Sequence, residues 1–178
     1  MGNVLGNLKP ELLWKHFEEI CNIPHPSRKE EKLAQYVITF AKRNGLDYQT
    51  DEFGNIVVRK PATAGKENLI PVVLQGHLDM VAEKNADVTH NFDKDPIQVY
   101  IEGDWVKAKG TTLGSDNGIG VAAALAVLED KSLEHGQLKH YLLLMKKPVL
   151  TVRKLLNQGS SIQKFLLILI PKKMAQFI

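Results

Sequence analysis

A short apolar run constrains this chain more than any other feature. Residues 69–75, centred on Val72-Val73-Leu74, have the make-up of a strand covered on both faces rather than one with a wet side. Helical and strand patterns alternate around it, so the expected class is α/β. Residues 10–21 read as a helix: Pro10 suits its first position, and Leu13, Phe17 and Ile20 recur on one face. Pro24 and Pro26 cannot continue it. Ser27 with Glu30 reads as a capping box for a second helix, striped by Leu33, Val37, Phe40 and Ala41 and closed by Asn44-Gly45. Short strands are expected at 48–50 and 56–59 around a turn at 51–55, and a hairpin at 97–101 and 105–108. A last helix is expected over 118–128, where Gly120, Ala122, Ala123, Ala124 and Ala126 allow close packing against a sheet.

The apolar run leads into Gly76-His77-Leu78-Asp79-Met80. In open α/β sheets, functional groups gather at the carboxyl ends of strands. His77 and Asp79 are two apart, so on an extended backbone their side chains point the same way. A neutral imidazole can ligate zinc or a similar ion, and a carboxylate beside it can hold the other ring N–H and fix the tautomer. Alone, the pair is also what a hydrogen-bonded structural histidine looks like. The second feature is Thr111-Thr112-Leu113-Gly114-Ser115-Asp116-Asn117-Gly118-Ile119-Gly120, a glycine-rich loop feeding a helix of small residues. Three readings stand open. It can be a phosphate loop, although the Walker ending and the G-x-G-x-x-G spacing are absent. Asp116 can cap a helix beginning near Gly118. Or Asp116 can be a carboxylate metal ligand brought beside His77.

Taken with Leu13-Trp14, Phe17, Ile23-Pro24, Pro26-Ser27, Asp51-Glu52-Phe53-Gly54-Asn55 and Asp104-Trp105-Val106, these motifs give the chain a specific likeness. From about Leu8 to Gly136 it resembles the peptidase D group, the aminoacyl-histidine and cytosol non-specific dipeptidases within the M20-like zinc-dependent peptidases. The resemblance implies an incomplete N-terminal part of a zinc-peptidase-like catalytic domain, a mixed sheet flanked by helices. It implies that His77 ligates one metal, that Asp79 is the catalytic-site residue orienting His77, and that Asp116 bridges two divalent ions. Those ions are zinc, with manganese or cobalt as alternatives. It also implies dipeptide substrates, Xaa-His among them, and a cis peptide at Asp116–Asn117.

Composition agrees with a globular chain: 44% apolar and 24% charged residues. The single Cys21 excludes an internal disulfide framework and fits a reducing cytoplasm. No signal-peptide core opens the chain and no run approaches a membrane span, so no membrane partner is expected. Charge is divided unevenly. All 20 acidic residues lie in 1–136, whereas 137–178 hold 8 of the 23 Lys and Arg and no acid. Those cations are scattered among apolar residues rather than clustered, so the tail is not read as a nucleic-acid-binding arm.

After Gly136 the family pattern stops. Where peptidase D chains continue with Asp-Glu-Glu-Thr-Gly, this one has Met145-Lys146-Lys147-Pro148-Val149. Codons built from the last base of one codon and the first two of the next permit the missing motif at those positions. The same shift permits Pro-Ile-Glu-Ala at 137–140 and Asp-Ser-Glu-Glu-Asp at 170–174. Residues 1–136 are therefore read as the peptidase-like portion, and 137–178 as an out-of-frame tail. That tail is expected to form no family-like strand or helix and to touch 1–136 sparsely, although 142–144 can still pair with an open sheet edge. The rival is a divergent natural C-terminus, with 165–170 as a buried strand.

Overall fold

In the computed structural model, which describes residues 3–143 and 166–169, the apolar run becomes β3 (Val72–His77) inside a mixed five-stranded sheet. Its neighbours are β1 (Asp47–Thr50), β2 (Ile56–Lys60), β6 (Leu138–Leu143) and β7 (Leu166–Leu169), in the order β1-β2-β6-β3-β7. The β1–β2 and β2–β6 pairs are antiparallel, and β3 is parallel to both β6 and β7. A separate hairpin joins β4 (Val99–Glu102) to β5 (Trp105–Ala108). The class is α/β, as expected.

Three helices complete the described fold: α1 (Glu11–Asn22), α2 (Glu31–Arg43) and α3 (Ser115–Glu129). Their apolar stripes meet the sheet in one core, with Phe17 and Ile20 from α1, Leu33, Val37 and Phe40 from α2, and Val121 and Leu125 from α3. The small residues of α3 serve two neighbours. Gly118 lies against Phe17 and Ile20 of α1, while Asn117 and Val121 lie beside Gly76 of β3. Among the described residues, no helix is long and apolar enough to cross a membrane.

Polar groups fix the ends of these elements. The Glu18 carboxylate accepts the backbone N–H groups of Val4 (2.7 Å) and Leu5 (3.1 Å), pinning the N-terminal arm so that Leu5 is buried. Lys60 on β2 donates to the carbonyls of Val127 (3.2 Å) and Asp130 (2.6 Å), placing a cation at the carbonyl end of α3. The capping box expected at Ser27 is not formed. The second helix starts at Glu31, no side chain caps it, and the Glu30 carboxylate instead accepts the N–H of Arg28 at 2.6 Å. Ser27 is used elsewhere, as described below.

The expectation for the tail is overturned at 138–143. β6 is not an edge addition but lies between β2 and β3, in register with both. Leu138, His140 and Leu142 are buried with it. The physical reason is that an apolar, β-prone segment entering between two open strands satisfies hydrogen-bonding groups on both sides at once. β7 likewise extends the sheet beside β3, inside the run from 165 to 170. Lys146, Lys147 and the segment 170–174 lie outside the described residues.

The side chains of β6 fit less well than its backbone. Lys139 is 6% exposed and His140 is 0% exposed, and neither ring nitrogen of His140 has a hydrogen-bond partner among the described residues. Burial pushes the His140 pKa down to about 3. An unpartnered buried polar side chain costs about 1–3 kcal/mol. His140→Leu, which fills a similar space without polar atoms, is expected to raise unfolding free energy by that order at pH 7. The unfolded ring takes up a proton below its ordinary pKa and the folded ring does not, so the parent loses stability as pH falls from about 6.5 towards 3. The gap between parent and variant is thus expected to widen on acidification, and urea midpoints at pH 7 and pH 5 measure it.

Candidate metal centre

β3 runs two residues further than the apolar pattern suggests and ends at His77, with Leu78 buried next and Asp79 half-buried after it. The chain beyond the strand is held by the Pro24-His25-Pro26-Ser27 segment. Met80 donates its N–H to the carbonyl of His25 (3.3 Å), and Ser27 donates its N–H to the carbonyl of Met80 (3.0 Å). The Ser27 hydroxyl donates to Asp79 Oδ2 at 2.8 Å. Sequence reasoning spent Ser27 on a helix cap and so missed it. The available signal was its place two residues after Pro24-His25, where neighbouring prolines remove donors and favour extended backbone.

α3 supplies the facing group. Gly114 turns in the left-handed region (φ 76°) against the Met80 side chain, where an added Cβ would sit 3.2 Å from Sδ. The first turn of α3 is then broken at Asp116 (φ −93°, ψ 93°) and Asn117, across a cis peptide. No side chain caps α3 at Gly114, and helical backbone resumes at Gly118, where the last helix was expected to begin.

The three expected residues converge although His77 and Asp116 are 39 positions apart. His77 Nε2 lies 3.2 Å from Asp116 Oδ1, and His77 Nδ1 lies 3.1 Å from Asp79 Oδ1. Burial works against the charged imidazole, but Asp79 and then Asp116 outweigh it and raise the His77 pKa above its ordinary value. The donor set suits an ion. Two ligands about 2.0–2.1 Å from a tetrahedral zinc stand about 3.3–3.4 Å apart, close to the observed Nε2–Oδ1 separation. Asp79 sits on the other ring nitrogen, where it can hold Nδ1–H and turn the Nε2 lone pair towards that position. Among the described residues, however, no group of three or more His, Cys, Asp or Glu side chains is arranged to hold a metal.

Comparison with known proteins decides the family. A cytosol non-specific dipeptidase from Escherichia coli (strain K12) is 60% identical over 135 residues, covering 76% of this chain and 28% of that protein. The chain belongs to the peptidase D group. An aminoacylhistidine dipeptidase structure from Vibrio alginolyticus matches with a TM-score of 0.78 and 52% identity, covering 83% of this chain and 30% of that one. The chain therefore spans less than a third of the length of these peptidase D relatives. An aminopeptidase from Bacillus cereus (TM-score 0.60, 20% identity, 79% of this chain and 37% of that one) shares the fold. So does human carnosine dipeptidase 1 (0.60, 15%, 88% and 38%). No family model matches the chain.

In this peptidase D chain the approach of α3 to β3 depends on Gly76. A Cβ there would lie 2.8 Å from Asn117 Oδ1 and 3.2 Å from Val121 Cγ2, both on buried residues. Gly76→Ala is expected to destabilise the protein by about 1–3 kcal/mol through overpacking. It should also separate Asp116 from His77. Urea unfolding measures the first effect. The second appears as amide chemical-shift changes centred on 114–121, and an unchanged spectrum there would show that β3 and α3 do not meet so closely.

Proposed function

We propose that this chain carries the His77, Asp79 and Asp116 portion of a two-metal dipeptidase centre. The observation that carries this reading is the pairing of His77 Nε2 with Asp116 Oδ1 at 3.2 Å, while Asp79 faces Nδ1 at 3.1 Å. His77 and Asp116 would hold the metal, and Asp79 would orient His77 and fix its tautomer. Bound divalent ions supply Lewis-acid polarisation of a carbonyl and a water of lowered pKa. Zinc is the first candidate, with manganese or cobalt as alternatives. The substrate class is short peptides with a free N-terminus, chiefly dipeptides, in a cytoplasmic setting; the relatives' names support this.

The chain as it stands is read as inactive. Lys146 and Lys147 occupy the sequence positions where the family's paired carboxylates are expected, and cations can neither ligate a metal nor serve as the carboxylate base. Residues 137–178 are read as an out-of-frame tail. The absence of acids beyond 136 supports this, as does the misfit of His140 in an otherwise apolar core position. The alternative is a non-catalytic binding module that keeps a peptidase-like half-domain, which weak metal binding without turnover would favour.

Two measurements test the proposal. Sequencing the codons around Gly136 is expected to show one nucleotide missing relative to peptidase D genes. Dipeptide hydrolysis in zinc, manganese or cobalt is expected to be absent, since loss of a general base alone costs about 10²–10⁴-fold. Hydrolysis at the rate of an intact relative, abolished by Asp116→Ala, would overturn the reading of inactivity.

A further inference from the structure

Away from the metal centre, a second set of ionisable groups ties the three helices together. His16 of α1 is 0% exposed, and both its ring nitrogens are engaged. Nδ1 lies 2.8 Å from the Tyr36 hydroxyl on α2, and Nε2 lies 2.6 Å from Glu129 Oε2, on the last residue of α3. The Tyr36 hydroxyl in turn donates to Glu19 Oε2 of α1 at 2.5 Å.

Counting hydrogens in this row gives a deficit. Three polar contacts, Glu19–Tyr36, Tyr36–His16 and His16–Glu129, each need one bridging hydrogen. Two carboxylates, a phenol and a neutral imidazole bring only two, because a neutral ring has one donor and one acceptor nitrogen. With two hydrogens, one contact would face lone pair against lone pair across a gap too short for water. We propose that the Glu19–Tyr36–His16–Glu129 row is a buried proton site, holding one hydrogen more than these groups carry separately at neutral pH and latching α1 to α2 and α3.

The arrangement that satisfies every contact runs in one direction. Tyr36 donates to Glu19, His16 Nδ1–H donates to Tyr36, and His16 Nε2–H donates to Glu129. Burial, then Glu19, keeps the phenol protonated by raising its pKa. The charged groups around the row are Lys15 and Glu19 on α1, Arg43 on α2 and Glu129 on α3, while the Phe40 ring meets the imidazole edge-on at 5.3 Å. Lys15 (3.3 Å) and Arg43 (3.9 Å) help hold the Glu129 carboxylate ionised at the carbonyl end of α3, where an anion is otherwise disfavoured. Burial outweighs the pull of Glu129 and Glu19 and lowers the His16 pKa, whereas the hydrogen count calls for the charged ring. The two tendencies predict opposite pH dependences, so a measurement of sign decides between them.

If the row holds the extra proton, its folded-state affinity for that proton exceeds the unfolded one. Its stabilisation is then full at low pH and is lost as pH rises above about 6.5. If His16 stays neutral, stabilisation is lost as pH falls below about 6.5. Glu129→Gln gives the control, because its amide can donate to Nε2 and remove the need for the extra hydrogen. The unfolding equilibrium constant of the parent, divided by that of Glu129→Gln, is expected to rise between pH 6.5 and 9 by up to tenfold per pH unit. A ratio that is flat there, or that rises only on acidification, overturns the proposal. Ring ¹⁵N NMR of His16 in the parent chain at pH 7 reads the same question without a variant. Two protonated ring nitrogens support the latch, and a single neutral tautomer refutes it.

Discussion

The site depends on how closely α3 can approach the end of β3. Gly76 presents no side chain at the crossing, and the first residues of α3 occupy that space with Asn117 and Val121. This contact sets the height of Asp116 relative to His77, since one residue follows Gly76 and the other precedes Asn117. The rest of the architecture keeps the contact in place: α1 lies behind Gly118, Lys60 holds the far end of α3, and the Pro24–Ser27 segment anchors the chain beyond His77. His77 and Asp116, drawn from distant parts of the chain, are thus positioned by packing, with Asp79 and Asp116 each facing one ring nitrogen.

Histidine burial follows two different rules within this one fold. His16 sits among a phenol and two carboxylates, so each of its nitrogens faces a polar atom. His140 has the same ring and the same lack of solvent, yet neither nitrogen has a partner among the described residues. Ion-pair and hydrogen-bond chemistry decides whether a buried ring organises its surroundings or burdens them. That contrast separates His16, whose ring nitrogens both face polar atoms, from His140 on β6, whose backbone fits while its ring does not.

Much of this was legible in the residues themselves. The stripe Leu33, Val37, Phe40 and Ala41 is the buried face of α2, and the motif around His77 does end a buried strand. Asp116 stood open between a cap and a ligand until the family likeness was added, because it lies just before the helix expected over 118–128, where either role is possible. Ser27 was misread because a hydroxyl followed three positions later by a glutamate describes a cap locally, while its actual partner, Asp79, lies 52 positions away. The place of β6 was hidden for a similar reason. Periodicity shows that a segment can be a strand, but pairing partners are set by which edges remain open.

The strand order has a consequence for how the chain assembles. β2 and β3 are never hydrogen-bonded to each other; β6 stands between them. Until residue 143 has left the ribosome, the edges of β2 and β3 that pair with β6 lack that partner. The hexapeptide that fills this gap must offer amide and carbonyl groups in register with both neighbours. The gap between β2 and β3 is therefore closed late, by the strand whose His140 carries two unpartnered ring nitrogens among the described residues.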